Sequence, residues 1–253
     1  MTLKFLQLNI ESGRFLDEVI AFIQKHDFDI INLQEVSGGK FNKYNQFDIF
    51  QTLKEKLGYK GELTKTMIGK SDPQSYFGNA TFFKPSFSLL NKKEIIWLKP
   101  FVELSELPKN NFQTLPRNAL HLTLTKDNLT LNVINAHLAW GPTPLDEPYK
   151  INQANILIDY MKNVSQPFVL SGDFNVTPDS QIVKNFNQLA RNLTVENHLT
   201  NTLNAKTHRV LSLFPPGLAV DYIYTSQDIK VDKFEAIKET LSDHLGLMTE
   251  IVI

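Results

Sequence analysis

"LSGDFNVTPDS", residues 170–180, breaks off a hydrophobic run (Phe168, Val169, Leu170) in Gly172, Asp173, Phe174 and Asn175, with Pro178 close behind. A buried strand that ends in a carboxylate and an amide has two readings. It is a turn and nothing more, or the strand exists to hold those two side chains in place. The rest of the chain decides between them.

Other hydrophobic runs end the same way. "LKFLQL" (residues 3–8) reads as a strand that delivers Asn9 and Glu11. Residues 14–26 set Phe15, Val19 and Phe22 on one side of a helix, with Leu16, Ile20 and Ile23 beside them. "FDIINLQE" then returns as a buried strand ending at Glu35. Strand, helix and strand in that order predict two neighbouring parallel strands with the helix on their outer face.

Further along, residues 47–57 read as a helix, and "YFGNATFF" and "FSLL" as strands. "NALHLTLTKDNLTLNVINAHL" reads as a hairpin with Lys126 to Asn128 at its tip. Its second arm is apolar on both faces until Asn135 and His137 interrupt one of them, which predicts a strand covered on both sides. A proline-rich loop, "GPTPLDEP", leads to a helix at 149–163 whose stripe is Ile151, Ala154, Ile158 and Met161. A short helix near 179–190 and the strands "LAVDYIYT", "VDKFEAI" and "LGLMTEIVI" complete the pattern. No linker, repeat or low-complexity tract divides it, so residues 1–253 are expected to form a single domain.

The composition excludes some chemistries. There is no cysteine, which rules out disulfides, thiolate catalysis and thiolate-ligated metal within this chain. The 26 Lys and Arg nearly balance 27 Asp and Glu, so the broad basic footprint of a non-specific nucleic-acid binder is absent. A mean hydropathy of -0.21 is ordinary for a globular protein. No apolar run approaches the ~20 residues of a membrane span, and the first residues lack the pattern of a signal peptide. A cytoplasmic location is the default expectation, with export left open, and no protein partner is evident.

The polar groups at strand ends are Asn9, Glu11, Glu35, Asn135, His137, Asp173, Asn175, Asp221, Asp243 and His244. Each alone has a structural explanation, as a cap, a solvated strand end or a hydrogen-bonded core histidine. Together they are harder to dismiss, because buried carboxylates are costly unless paired or metal-bound. Oxygen donors such as Glu35, Asp243 and Asn9 suit Mg²⁺ or Mn²⁺. His137 and His244 offer proton transfer or hydrogen bonds to a phosphoryl oxygen; Asp173 offers a base for water, and Asp221 a partner to fix a histidine tautomer. That inventory fits metal-assisted hydrolysis of a phosphate ester. The signatures of P-loops, dinucleotide-binding folds and HExxH metalloproteases are absent.

The chain resembles the endonuclease/exonuclease/phosphatase family, the superfamily with the deoxyribonuclease-I-like fold. The resemblance is carried by "LQLNIE", "NLQEV", "NAHL", "SGDFNVTP", "VDYIY" and "LSDHLGL", in the family's order and across almost the whole chain. It implies an α/β fold, a two-sheet β-sandwich flanked by helices on both outer faces in four layers, with a divalent metal, Mg²⁺ or Mn²⁺, at one end. By resemblance Glu35 is a metal ligand with Asn9 beside it, Asp243 contributes to metal binding or local electrostatics, and Asp173 and Asn175 position water and contact the scissile phosphate. Asp221 supports His244, and His137 contacts phosphate or protonates the departing oxygen.

Glu11 stands where many DNA-cleaving members have Asp, and its longer side chain reaches a metal directly or through water. Arg117, Asn79 and Trp140 are expected at the substrate, each with a structural role as the alternative. The implied activity is a divalent-metal-dependent phosphodiesterase, with a nuclease as the most general form and nucleic acid among the candidate substrates. A phosphomonoesterase, a lipid-headgroup phosphoesterase and an inactive phosphate-binding domain of the same fold remain open.

Overall fold

The computed structural model of the chain describes residues 1–44, 46–106, 112–209 and 217–253. Its first unit is the expected one: β1 (Thr2–Asn9), α1 (Leu16–His26) and β2 (Ile30–Gly38) make a parallel pair with Phe5 opposite Ile30 and Asn9 opposite Gln34. Helix α1 buries Leu16, Val19, Ile20, Phe22 and Ile23, and Asp27 closes it in the left-handed conformation, returning its N–H to the Ile23 carbonyl. After α2 (Ile49–Leu57), capped by Asp48 and ended by Gly58, come β3 (Lys60–Gly69) and β4 (Tyr76–Phe83).

The second half repeats the device. Strands β5 (Ser88–Leu89), β6 (Glu94–Lys99) and β7 (Val102–Leu104) precede the hairpin of β8 (Arg117–Lys126) and β9 (Leu129–His137). Helix α3 (Pro148–Met161) then crosses to β10 (Phe168–Asp173), which lies parallel to β9. The chain continues through α4 (Gln181–Asn187), β11 (Arg191–Asn192), α5 (Leu193–Glu196), β12 (Asp221–Thr225), β13 (Lys230–Ala236) and β14 (Leu247–Val252). One sheet has the order β13-β14-β1-β2-β4-β3-β7, the other β11-β12-β10-β9-β8-β5, with β6 also pairing β8.

Three apolar clusters define four layers. One joins the first sheet to α1 and α2, a second joins the other sheet to α3 and α4, and a third fills the space between the sheets. Strand periodicity explains the arrangement. In β1, Leu6 and Leu8 face the helices while Leu3 and Phe5 face the opposite sheet. In β9, Ile134 and Ala136 face α3 while Leu131 and Val133 face inward. Each large side chain withdrawn this way contributes roughly 1.5–3 kcal/mol.

The inward rows do not stay apolar. Leu3 and Phe5 are followed on the same face by Gln7 and Asn9, Leu131 and Val133 by Asn135 and His137, and Val169 by Ser171 and Asp173. Half of the interface between the sheets is therefore oily and half is polar. The polar half satisfies itself across the sandwich: Asn32 Nδ2 donates to Ser171 Oγ at 3.0 Å, and Gln34 Nε2 to Asn135 Oδ1 at 2.8 Å. Asn135 Nδ2 in turn donates to the carbonyls of Leu33 and Ala80. Such a network holds two sheets in one register, because each unmade bond there leaves a buried polar group unpaired.

Helix α3 departs from expectation in one respect. Its buried side includes Lys150 and Gln153 as well as Ala154, Leu157, Ile158 and Met161. No described helix is long and apolar enough to cross a membrane.

Candidate active site

The polar ends of the inward rows converge at one edge of the sandwich. In the second sheet they form a line: Asp173 on β10 pairs with His137 on β9 on one side and with Asp221 on β12 on the other. Gly172, just before, explains its own identity. A Cβ there would stand 1.7 Å from the Ala136 carbonyl oxygen, so only glycine lets β9 and β10 run this close beneath Asp173.

Asp173 is buried and multiply held. Its Oδ1 accepts the Asn175 N–H at 2.9 Å and its Oδ2 accepts Asn9 Nδ2 from the other sheet at 3.1 Å. His137 Nε2 and His244 Nε2 approach the same Oδ2 at 3.6 and 3.8 Å. Burial pushes the Asp173 carboxyl up to about 7, with Asp221 adding and His244, Asn9 and the Asn175 N–H opposing. Asp221 lies deeper and is fully committed: Oδ1 accepts Gln7 Nε2 at 3.0 Å, and Oδ2 meets Thr202 Oγ1 at 2.7 Å and His244 Nδ1 at 2.8 Å.

The two histidines are driven in opposite directions. Burial, Arg117 and His244 hold His137 well below its ordinary value. Burial pulls His244 the same way, but Asp221 and Asp173 outweigh it and keep His244 protonated well above that value. The site thus presents a neutral imidazole and a cationic one on either side of a single carboxylate.

Glu35 enters from β2 at a bulge between Leu33 and Val36, with a φ of +59°. Asn175, Glu11 and Ser12 also take positive φ, at 54°, 45° and 56°. Non-glycine residues in this region store strain, and Glu11, Glu35 and Asn175 all line one pocket. The Glu35 carboxylate makes no hydrogen bond or ion pair among the described residues. Burial raises its pKa, with Asp243 adding and Lys43, His244 and Arg117 opposing. An unpaired carboxylate in such surroundings suits a divalent cation, and the amide oxygen of Asn9 and the half-buried carboxylate of Asp243 supply further hard oxygen donors beside the same pocket.

The pocket has a volume of about 690 Å³. Asn9, Glu11, Glu35, Arg117, His137, Trp140, Asp173, Asn175, Asp243 and His244 all line it. Arg117 is pinned through Nε to the Leu138 carbonyl and through Nη1 to that of Pro116. Trp140 is 38% exposed at the mouth. Asn175 donates Nδ2 to the Leu138 carbonyl, so its amide nitrogen braces the neighbouring strand end. Met67, Phe77 and Leu115 supply an apolar part of the lining.

One expected residue behaves differently. Asn79 is not brought to the pocket: it is buried between the sheets and donates to the backbone and side-chain oxygens of Asn118. Glu11 lines the pocket, where Tyr44 Oη donates to its Oε1 at 2.7 Å and Arg14 Nη1 to its Oε2 at 3.4 Å.

The structure also adds residues that sequence reasoning passed over. Lys40, Lys43, His208 and Arg209 stand in the lining, on loops with no periodic signal. Lys150 is wholly buried, and its Nζ donates to the carbonyls of Thr143 and Asn175 at 2.8 and 2.9 Å, tying the proline-rich loop to the end of the "GDFN" segment. Two groups of donors lie close enough to share a cation: His208, Asp243 and His244, and Asp173, Asp221 and His244, each within 4.8 Å.

The sequence profile of the Endonuclease/Exonuclease/phosphatase family matches residues 6–244, and the chain belongs to that family. It is 29% identical over 232 residues to the CCR4-Not complex 3′-5′-exoribonuclease subunit Ccr4 of Yarrowia lipolytica, a match covering 74% of this chain and 30% of that much longer protein. Among solved structures it superposes on an endonuclease/exonuclease/phosphatase from Bacteroides vulgatus with a TM-score of 0.75, at 17% identity, over 100% of this chain and 99% of that one. A mannosyl-6-phosphatase from Bacteroides thetaiotaomicron gives a TM-score of 0.72 at 18% identity, over 99% and 100%. The four-layer fold, the family and the clustered His and Asp donors agree: this is a divalent-metal-dependent phosphoesterase site.

Proposed function

We propose that the chain hydrolyses a phosphodiester by attack of water, with Mg²⁺ or Mn²⁺ held by Glu35, Asn9 and Asp243. The observation that carries this reading is the chain of contacts from Asp221 through His244 to Asp173, opening into a pocket beside an unpaired Glu35. A divalent cation there would neutralise phosphoryl charge and polarise the bond to be broken.

Asp173, steadied by Asn9 and the Asn175 N–H, orients the attacking water and takes its proton. Asp221 fixes the His244 tautomer and sustains its positive charge, so that Nε2 donates to a phosphoryl oxygen as negative charge develops there. Neutral His137 and the guanidinium of Arg117 bind further oxygens from the other side. Asn175 positions the Asp173 turn, and Trp140 meets the body of the substrate at the mouth. Glu11 holds the Tyr44 loop through its two hydrogen-bonded oxygens. Residues 1–253 act as one catalytic domain in this reading, and its expected location is cytoplasmic.

A nuclease is favoured by the sequence similarity to a 3′-5′-exoribonuclease subunit and by Lys40, Lys43 and Arg209 in the lining, which suit a substrate with more than one phosphate. The deciding assay measures Mg²⁺-dependent turnover of short RNA and DNA strands, a simple phosphodiester and a sugar monophosphate. Faster cleavage of diesters supports the proposal, whereas turnover confined to the monoester would make the chain a phosphomonoesterase.

A further inference from the structure

We infer that His208, Asp243 and His244 form a second cation site, selective for a borderline-soft metal such as Zn²⁺, whose occupation takes His244 out of phosphoester hydrolysis. One donor atom from each of the three lies within 4.8 Å of the other two. The His208 ring stands edge-on to that of His244, with centroids 5.9 Å apart and planes at 78°. Among the described residues, His208 Nδ1 is buried without a hydrogen-bond partner, an unfavourable state for an imidazole nitrogen unless a ligand meets it.

The placement of His208 is built rather than incidental. Its loop is latched onto the segment carrying Asp243 and His244: Asn204 N donates to the Asp243 carbonyl at 2.8 Å, while Asn204 Nδ2 and Thr207 Oγ1 both donate to the Ser242 carbonyl, at 3.1 and 2.8 Å. The His208 N–H closes the turn on the Asn204 carbonyl at 2.9 Å. Asp221 occupies His244 Nδ1 and leaves Nε2 to ligate once an arriving cation has displaced its proton to solvent, the carboxylate–histidine arrangement that orients imidazole ligands in metal proteins. Ser242 Oγ donates to one Asp243 oxygen at 3.1 Å, and the other has no hydrogen-bond partner among the described residues.

Donor chemistry separates this site from the one around Glu35. Two imidazoles and a carboxylate, with a fourth position for water, suit tetrahedral zinc. Mg²⁺ demands oxygen and retains its waters, so it has little use for the two nitrogens. Burial holds His208 below its ordinary value, with Asp243 opposing and His244 adding, which leaves a neutral ring able to coordinate. Asp243 is common to both sites, so a zinc ion here would draw a ligand away from the catalytic cation as well.

The inhibitory part of this inference rests on the role proposed for His244; the binding part does not. Metal-free protein is titrated with Co²⁺, followed by its visible absorption, and the Co²⁺ is then displaced with Zn²⁺, for the native chain and for His208→Ala and His208→Gln, with circular dichroism as the check on folding. The native chain should bind one Co²⁺ with the intense bands of four-coordinate geometry, and the variants should bind at least ~10-fold more weakly, the least that loss of even an outer-shell partner costs. At saturating Mg²⁺, added Zn²⁺ should halt the native enzyme and spare both variants, each compared with its own zinc-free turnover. Equal Co²⁺ affinity in native protein and a folded variant, or undiminished zinc inhibition of the variants, overturns the inference. If the native chain hydrolyses no phosphoester at all, the proposed function fails, and the Co²⁺ titration still decides whether the site exists.

Discussion

Asp173 Oδ2 and His244 Nε2 stand 3.8 Å apart in the pocket, an acid made reluctant to ionise facing a base made reluctant to lose its proton. Burial lifts the Asp173 carboxyl from 3.8 to about 7 in the folded chain. A carboxyl raised in this way stabilises the fold at low pH and loses that contribution as pH climbs from its unfolded value through its folded one. Asp173→Asn, which cannot ionise, should therefore gain on the native protein between about pH 4 and pH 7 and hold that gain above it. In chelator, the difference in Tm at pH 8 relative to pH 4 should reach at least ~3 °C, the shift that about 1 kcal/mol gives in a chain of this size. A difference flat with pH would show that Asp173 ionises normally.

The same substitution separates chemistry from binding. Asp173→Asn should lower kcat by at least ~100-fold while changing KM far less, because a positioned base acts mainly in the transition state. Asp179→Asn is the control. Asp179 is an exposed residue just ahead of α4, whose actual cap is Ser180, and its carboxylate accepts from Thr177 Oγ1. Near-native turnover in folded Asp173→Asn would place the base elsewhere.

Glu35→Gln should weaken Mg²⁺ or Mn²⁺ binding by at least ~10-fold, the low end for disturbing a metal's ligand set. Calorimetry on the substrate-free protein gives the affinity, and circular dichroism should show an intact fold. Unchanged affinity would remove Glu35 from the metal site.

Asn135→Leu tests the polar half of the sandwich. It strands Gln34 Nε2 and removes the donor to the Leu33 and Ala80 carbonyls. Each buried group left unpaired costs ~1–3 kcal/mol, so urea denaturation should report a loss of about 3 kcal/mol or more. A neutral or stabilising outcome would mean that hydration of the interface replaces the amide.

Much of this was legible because β-structure writes its faces into alternate residues. Leu3, Phe5, Gln7 and Asn9 record an inward row that turns polar, and the same change recurs from Val169 to Asp173. Strands β3 and β6 escaped notice for opposite reasons. In "KGELTKTMIG" half of the positions are only half-buried, and in "EIIWLK" the exposed Ile95 and Trp97 are as apolar as the buried Ile96 and Leu98, so neither sequence shows a clean polar alternation. Asn79 lies in a strand like the site residues, yet only its partner Asn118, 39 residues away, reveals that its amide is already spent. The Tyr44 partner of Glu11 is equally hidden from local pattern, since it comes from a loop 33 residues further on. Lys150 sits on the buried side of α3, where a helical wheel would have asked for an apolar residue. His208 belongs to a loop fixed by backbone and side-chain bonds to a segment 34 or more residues downstream, which no local pattern encodes.

The two parallel pairs, β1 with β2 and β9 with β10, place Asn9 and Glu35 in one sheet and His137 and Asp173 in the other. Neither pair holds a working set of groups until the sandwich has shut, and the Asn9 to Asp173 bond spans 164 residues of chain. Contacts so distant form late and slowly in folding. Recovery of hydrolysis after dilution from denaturant is thus a clock for the closing of one sheet on the other, and it should lag the return of secondary structure.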